Sequence, residues 1–124
     1  MINRILKFGL VGIIAMLIHW LIVILIVADS LTPLFANVIG FLVAFNVSYF
    51  GHRYWTFQLN SYSMGNKQAF IRFFVVAFSS FLINEFLYYL LLSYTTLNYM
   101  TALAIVLVCV AIFTFISSNL WVFK

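Results

Sequence analysis

The chain has 124 residues, of which 67% are hydrophobic, 20% aromatic and only 6% charged. A soluble domain this small needs a charged shell that so few charged side chains cannot provide, so a water-soluble globule is excluded and an all-α integral membrane protein is indicated. The single cysteine, Cys109, excludes a disulfide framework and a cysteine-rich zinc site, and a net charge of +4 on such a chain speaks for anionic headgroups and topology rather than nucleic acid.

Four spans are predicted in chain order, over residues 8–28, 34–51, 70–92 and 99–120. Each is near the ~20 residues needed to cross ~30 Å of hydrocarbon. The first follows the basic Arg4 and Lys7, but it is too long for a signal peptide and carries no small-residue cleavage pattern, so it is read as a retained helix. Asp29 to Pro33 reads as a tight turn, with Pro33 suited to open the second helix. Gln58 to Lys67 is the polar connection, and Ser93 to Asn98 joins the last two spans. The whole chain, 1–124, is read as one transmembrane domain.

All six basic residues fall on one side of these spans: Arg4, Lys7, Arg53, Lys67, Arg72 and Lys124. The positive-inside rule then places both termini and the middle connection in the cytoplasm. The halves also echo one another. Lys7-Phe8 enters the first span as Arg72-Phe73 enters the third, and Trp55-Thr56-Phe57 leaves the second as Trp121-Val122-Phe123 leaves the fourth. Each half is a pair of spans, so the repeats are parallel, related by an axis along the membrane normal.

Several polar residues stand out. Glu85 lies about 18 Å into the third span, where a carboxylate is costly and by default functional. His19-Trp20 aligns with Asn84-Glu85 under the repeat, which suggests one polar site shared between the halves. Asn46 is a further candidate for an intramembrane polar path, whereas Asn37, nine residues earlier and nearly opposite, is assigned to the outer end. Ala36, Gly40, Ala44 and Ser48 form a ridge of small residues for helix packing, ending at His52. Trp55 and Trp121 read as interfacial anchors. Arg53, with Arg72, Lys7 and His52, is a candidate phosphate or lipid-headgroup site, since arginine grips phosphate oxygens as a fork. No ligand spacing for a metal, no nucleotide-binding loop and no nucleophile–base set is present in the sequence, so neither an enzyme nor a cofactor is expected.

The stretches R-x-x-K-F-G-L-V-G (4–12), A-N-V-I-G-F (36–41) and V-S-Y-F-G-H-R-Y-W-T-F (47–57) resemble the GtrA-like family, as do IRFFVVAFSSFLINEF (71–86) and the closing W-V-F (121–123). The likeness spans essentially the whole chain and is most specific over Arg53 to Phe57. It implies a bacterial or archaeal cytoplasmic-membrane protein that helps move polyprenyl-phosphate-linked sugars for cell-surface glycosylation. Such proteins often work beside a membrane glycosyltransferase. Four helices are few to enclose a headgroup path, so a homo-oligomer is expected. Two other readings stand beside it: a non-transporting anchor or partner of a glycosyltransferase, and a small proton-coupled cation exporter centred on Glu85.

Overall fold

A computed structural model describes residues 2–27, 31–59 and 64–123. Four helices run through them: α1 (Ile2–Val27), α2 (Pro33–Gly51), α3 (Met64–Tyr94) and α4 (Tyr99–Ser117), with no strand among the described residues. All four are long and apolar enough to cross a membrane. Pro33 occupies the first turn of α2, where its missing N–H costs nothing. Asn98 caps α4, its Oδ1 accepting from the Thr101 N–H at 2.8 Å.

The helices overrun the predicted spans. α1 and α3 each begin six residues before the apolar run, at Ile2 and Met64. Apolar composition marks where a helix can meet lipid, not where its hydrogen bonding stops, so α3 includes the polar Asn66 and Lys67 ahead of its apolar run. Residues 1, 28–30, 60–63 and 124 lie outside the description. Asp29 and Ser30 of the Asp29–Pro33 turn, the middle of the Gln58–Lys67 connection and Lys124 fall there.

The far ends of α2 and α4 share a rarer feature. Each passes directly into a five-residue π-helical turn, His52–Thr56 and Ser118–Val122. A phenylalanine closes each turn through an i→i−5 bond: Phe57 N–H to His52 O at 2.8 Å, and Phe123 N–H to Ser118 O at 3.0 Å. Phe57 and Phe123 are buried, while Trp55 and Trp121 remain exposed.

The parallel repeat is visible in the packing. A shift of 65 residues carries the buried face of α1 (Phe8, Val11, Ala15, His19, Val23) onto that of α3 (Phe73, Val76, Ser80, Asn84, Tyr88). A shift of 66 carries Ala36, Asn37, Gly40 and Ala44 of α2 onto Ala102, Leu103, Val106 and Val110 of α4, all buried. Within each half the two helices pack extensively; between halves α1 touches α4 and α2 touches α3 along thinner seams. The aromatic end closes around Phe8, which stacks on His52 at 4.5 Å and meets Phe73 and Phe123 edge-on at 5.7 and 5.4 Å.

The small-residue ridge of α2 faces α1. A Cβ on Gly40 would lie 2.7 Å from His19 Cδ2 and 3.1 Å from the His19 carbonyl oxygen, and one on Gly51 would lie 2.8 Å from Val11 Cγ1. At Gly40 the neighbours include backbone as well as side chain, so a larger residue there must push the helices apart. Gly12 of α1, by contrast, faces open space. Gly40→Val is therefore expected to destabilise the bundle by about 1–3 kcal/mol, whereas Gly12→Ala is close to neutral. Unfolding of both variants in mild detergent titrated with dodecyl sulfate tests this; equal effects would refute the close-approach argument.

Candidate functional site

Twelve residues past Lys7 on α1 lies His19, and twelve past Arg72 on α3 lies Asn84, so both sit about 18 Å from the basic end. Asn37, in the first two turns of α2, reaches the same level from the other direction. It is fully buried and joins the two. Its Nδ2 donates to Asn84 Oδ1 at 2.7 Å and to Glu85 Oε2 at 3.1 Å. Its Oδ1 is thereby left to accept from His19 Nε2–H at 2.6 Å, which fixes the imidazole tautomer. Three helices are thus tied by one amide in a region where an unmet polar group is expensive.

Of the four residues expected here, the structure brings together His19, Asn84 and Glu85. Asn46 is elsewhere: its side chain is exposed and donates to its own helix, at Leu42 O. The opposite-face relation between Asn37 and Asn46 holds, but Asn37 is the inward one. Its signal was present in the sequence, because it lies one residue after Ala36 and three before Gly40, on the packed side of α2. Tyr88 and Trp20 add to the outer end, donating to the carbonyls of Tyr99 at 3.1 Å and Met100 at 3.0 Å.

The four residues assigned to a headgroup site are dispersed. Lys7 stacks over Trp55 with Nζ 5.6 Å from the ring centre. Arg72 stacks over Trp121 at 5.5 Å and donates to its carbonyl at 2.9 Å. The two pairs are equivalent under the repeat. Arg53 lies over Tyr49 and Tyr54 at 5.9 and 5.6 Å and donates to the Tyr49 hydroxyl at 3.0 Å. Its buried Nε has no partner among the described residues. His52 does not face the headgroups at all. It is 1% exposed, held between Phe8 and Phe73, with Nδ1 3.0 Å from Thr56 Oγ1. The π turn continues the helix past Gly51 and keeps His52 on the ridge side, where a frayed helix end would have released it.

A cavity of about 520 Å³ lies where the halves meet. Its wall is almost wholly apolar and comes from all four helices, running from Phe8 and Phe73 to His19, with Gly12, Ser48, Ser80 and Thr114 along it. Ser80 and Thr114 hydroxyls bond to each other at 2.7 Å. No cluster of three or more metal-ligating side chains occurs among the described residues.

Replacing Asn37 by Leu, the residue at the equivalent position 103, leaves His19 and Asn84 without their partner. It is expected to cost about 1–3 kcal/mol, while Asn46→Leu costs little. Denaturant titration of the two variants distinguishes hub from bystander; a tolerant Asn37→Leu would deny the amide its role.

Comparison with known proteins agrees with the architecture. No individual curated protein and no solved structure matches the chain. The family model described as GtrA/DPMS, transmembrane domain, matches residues 7–123, from the first stacked lysine to the closing phenylalanine, and the chain belongs to that family.

Proposed function

We propose that the chain moves a polyprenyl-phosphate-linked sugar across a bacterial or archaeal cytoplasmic membrane, as a homo-oligomer working beside a membrane glycosyltransferase. The carrying observation is the cavity between the halves. It starts one residue inside Lys7 and Arg72, at Phe8 and Phe73, and ends at His19. Its apolar wall suits a hydrocarbon tail, and its far end meets the hydrogen-bonded layer of His19, Asn37, Asn84 and Glu85, suited to hydroxyl-rich groups. The thin seams between halves favour lateral entry from lipid. Family membership supports a role linked to polyprenyl-phosphate sugars at the coarser level. The basic rim, in this reading, faces the cytoplasm.

One observation favours the partner reading as the alternative. His19, Asn37 and Asn84 satisfy each other, as a purely structural clamp would. Transbilayer movement of a fluorescent polyprenyl-phosphate sugar in liposomes holding the purified chain separates the two. A transporter is expected to lose at least about tenfold in rate in both Arg53→Ala and Glu85→Gln, the scale of one charge-assisted contact. Absence of movement with correctly folded protein leaves the partner reading standing.

A further inference from the structure

The basic end holds a second, smaller cavity of about 190 Å³ that none of the assigned residues except Lys7 enters. Its polar wall is Asn3, Arg4 and Lys7 of α1, Thr56 and Gln58 from the end of α2, and Asn66 of α3. At ~30 Å³ per water, this is room for a tetrahedral oxyanion with part of its hydration shell.

Among the described residues that line it, the recess holds cations and no acidic side chain. Arg4 Nη2–H donates to Asn66 Oδ1 at 2.6 Å, and its Cζ lies 6.0 Å from the centre of the Phe123 ring. Lys7 rests on Trp55. Amide oxygens and ring faces orient cations without cancelling their charge. The chain has two acidic side chains, Asp29 and Glu85. Glu85 is engaged by Asn37 at the opposite end, and Asp29 lies between α1 and α2 in sequence. Among the described residues, the remaining guanidinium donors and the ammonium thus present positive charge to a recess lined otherwise by Asn3, Thr56, Phe57, Gln58 and Asn66.

Two further features mark the recess as built. Gln58, which lines the recess, has φ of 48°, a left-handed backbone that a residue with a Cβ adopts at a cost. The corner also breaks the internal repeat. Arg4 and Thr56 correspond to Ala69 and Val122 in the other half, while Asn3 and Lys7 correspond to Gln68 and Arg72, so the second corner keeps a cation and an amide but lacks the Arg4 fork and the Thr56 hydroxyl.

We propose that the Arg4–Lys7–Asn66 recess binds a phosphate group, with Arg4 as the fork held in place by Asn66 and Lys7 as the second charge. The proposal rests on the transport reading only for the carrier of that phosphate, and its test reads binding rather than movement. The recess would hold the phosphate at the headgroup level, beside the mouth of the apolar cavity, because Lys7 borders the one and Phe8 the other.

The test uses the full chain in a maltoside micelle, which contains no phosphate. Inorganic phosphate, farnesyl phosphate and farnesol are titrated in, with binding followed by phosphorus line width for the first two and by tryptophan fluorescence for all three. Saturable binding of both phosphates supports a site for the group whatever carries it. Binding of farnesyl phosphate without farnesol or inorganic phosphate supports it as a lipid-headgroup site. Arg4→Gln is expected to weaken binding by at least about tenfold. Lys67→Gln, which removes the same charge from an exposed position on α3, is expected to stay within about twofold. Asn66→Ala leaves the charge untouched and is also expected to weaken binding, which keeps the test decisive should Arg4→Gln not fold. Equal binding of farnesol and farnesyl phosphate, equal losses in Arg4→Gln and Lys67→Gln, or wild-type affinity in Asn66→Ala each overturns the proposal. Binding without transbilayer movement would instead sink the transport reading alone.

Discussion

An amide in hydrocarbon must find partners inside the protein, and the bundle is arranged around that demand at Asn37. Its oxygen and both hydrogens are used, by His19 on one helix and by Asn84 and Glu85 on another. That requires α1 and α2 to be close enough for a 2.6 Å bond across the interface. Gly40 permits it, one turn further along α2, by letting the two backbones nearly touch. The small-residue ridge and the polar layer are therefore one device: the ridge sets the distance and the amide fixes the register. In lipid, where apolar contact offers little driving force between helices, such close approach combined with hydrogen bonding is the main source of specificity.

The two halves agree where they pack and differ where they are polar. Buried positions correspond through both helix pairs, down to the paired π turns and the two cations resting on tryptophans. Yet Asn37 answers to Leu103, Thr56 to Val122 and Arg4 to Ala69. The mismatch even leaves a trace in the core. His52 bonds Thr56, whereas its counterpart Ser118 faces Val122 and has a buried hydroxyl with no partner among the described residues.

Much of this was legible in the sequence. The four apolar runs, the one-sided cations and the repeated W-x-F exits gave the architecture, because span length and charge asymmetry are fixed by the bilayer itself. The equal depth of His19 and Asn84 followed from the repeat. Asn37 does lie toward the outer end, four positions after the helix-opening proline, but its place on the ridge face also makes it the amide that joins His19 to Asn84 and Glu85. His52 departs from expectation for a local reason. Gly51 next to a titratable ring suggests a helix end, but Gly51 is there for Val11, and the helix carries on as a π turn that keeps the imidazole inside. Neither the polar corner at Arg4 nor the central cavity could be read from one-dimensional text, since each draws on helices far apart in the chain.

The uneven packing, dense within each helix pair and thin between pairs, bears on how the protein is made. Each pair carries its own cations at its entry, Arg4 and Lys7 for the first and Lys67 and Arg72 for the second. Each therefore holds a complete topogenic signal and a nearly complete interface, so it can enter the bilayer as a self-sufficient hairpin. Joining the hairpins then brings Asn84 and Glu85 to the Asn37 amide, which the first hairpin cannot fully satisfy alone. Until the second hairpin arrives, its Nδ2 lacks the acceptors Asn84 and Glu85. The half-made protein thus carries an exposed hydrogen-bond demand in lipid, a feature by which membrane quality control could tell an orphan hairpin from a finished bundle.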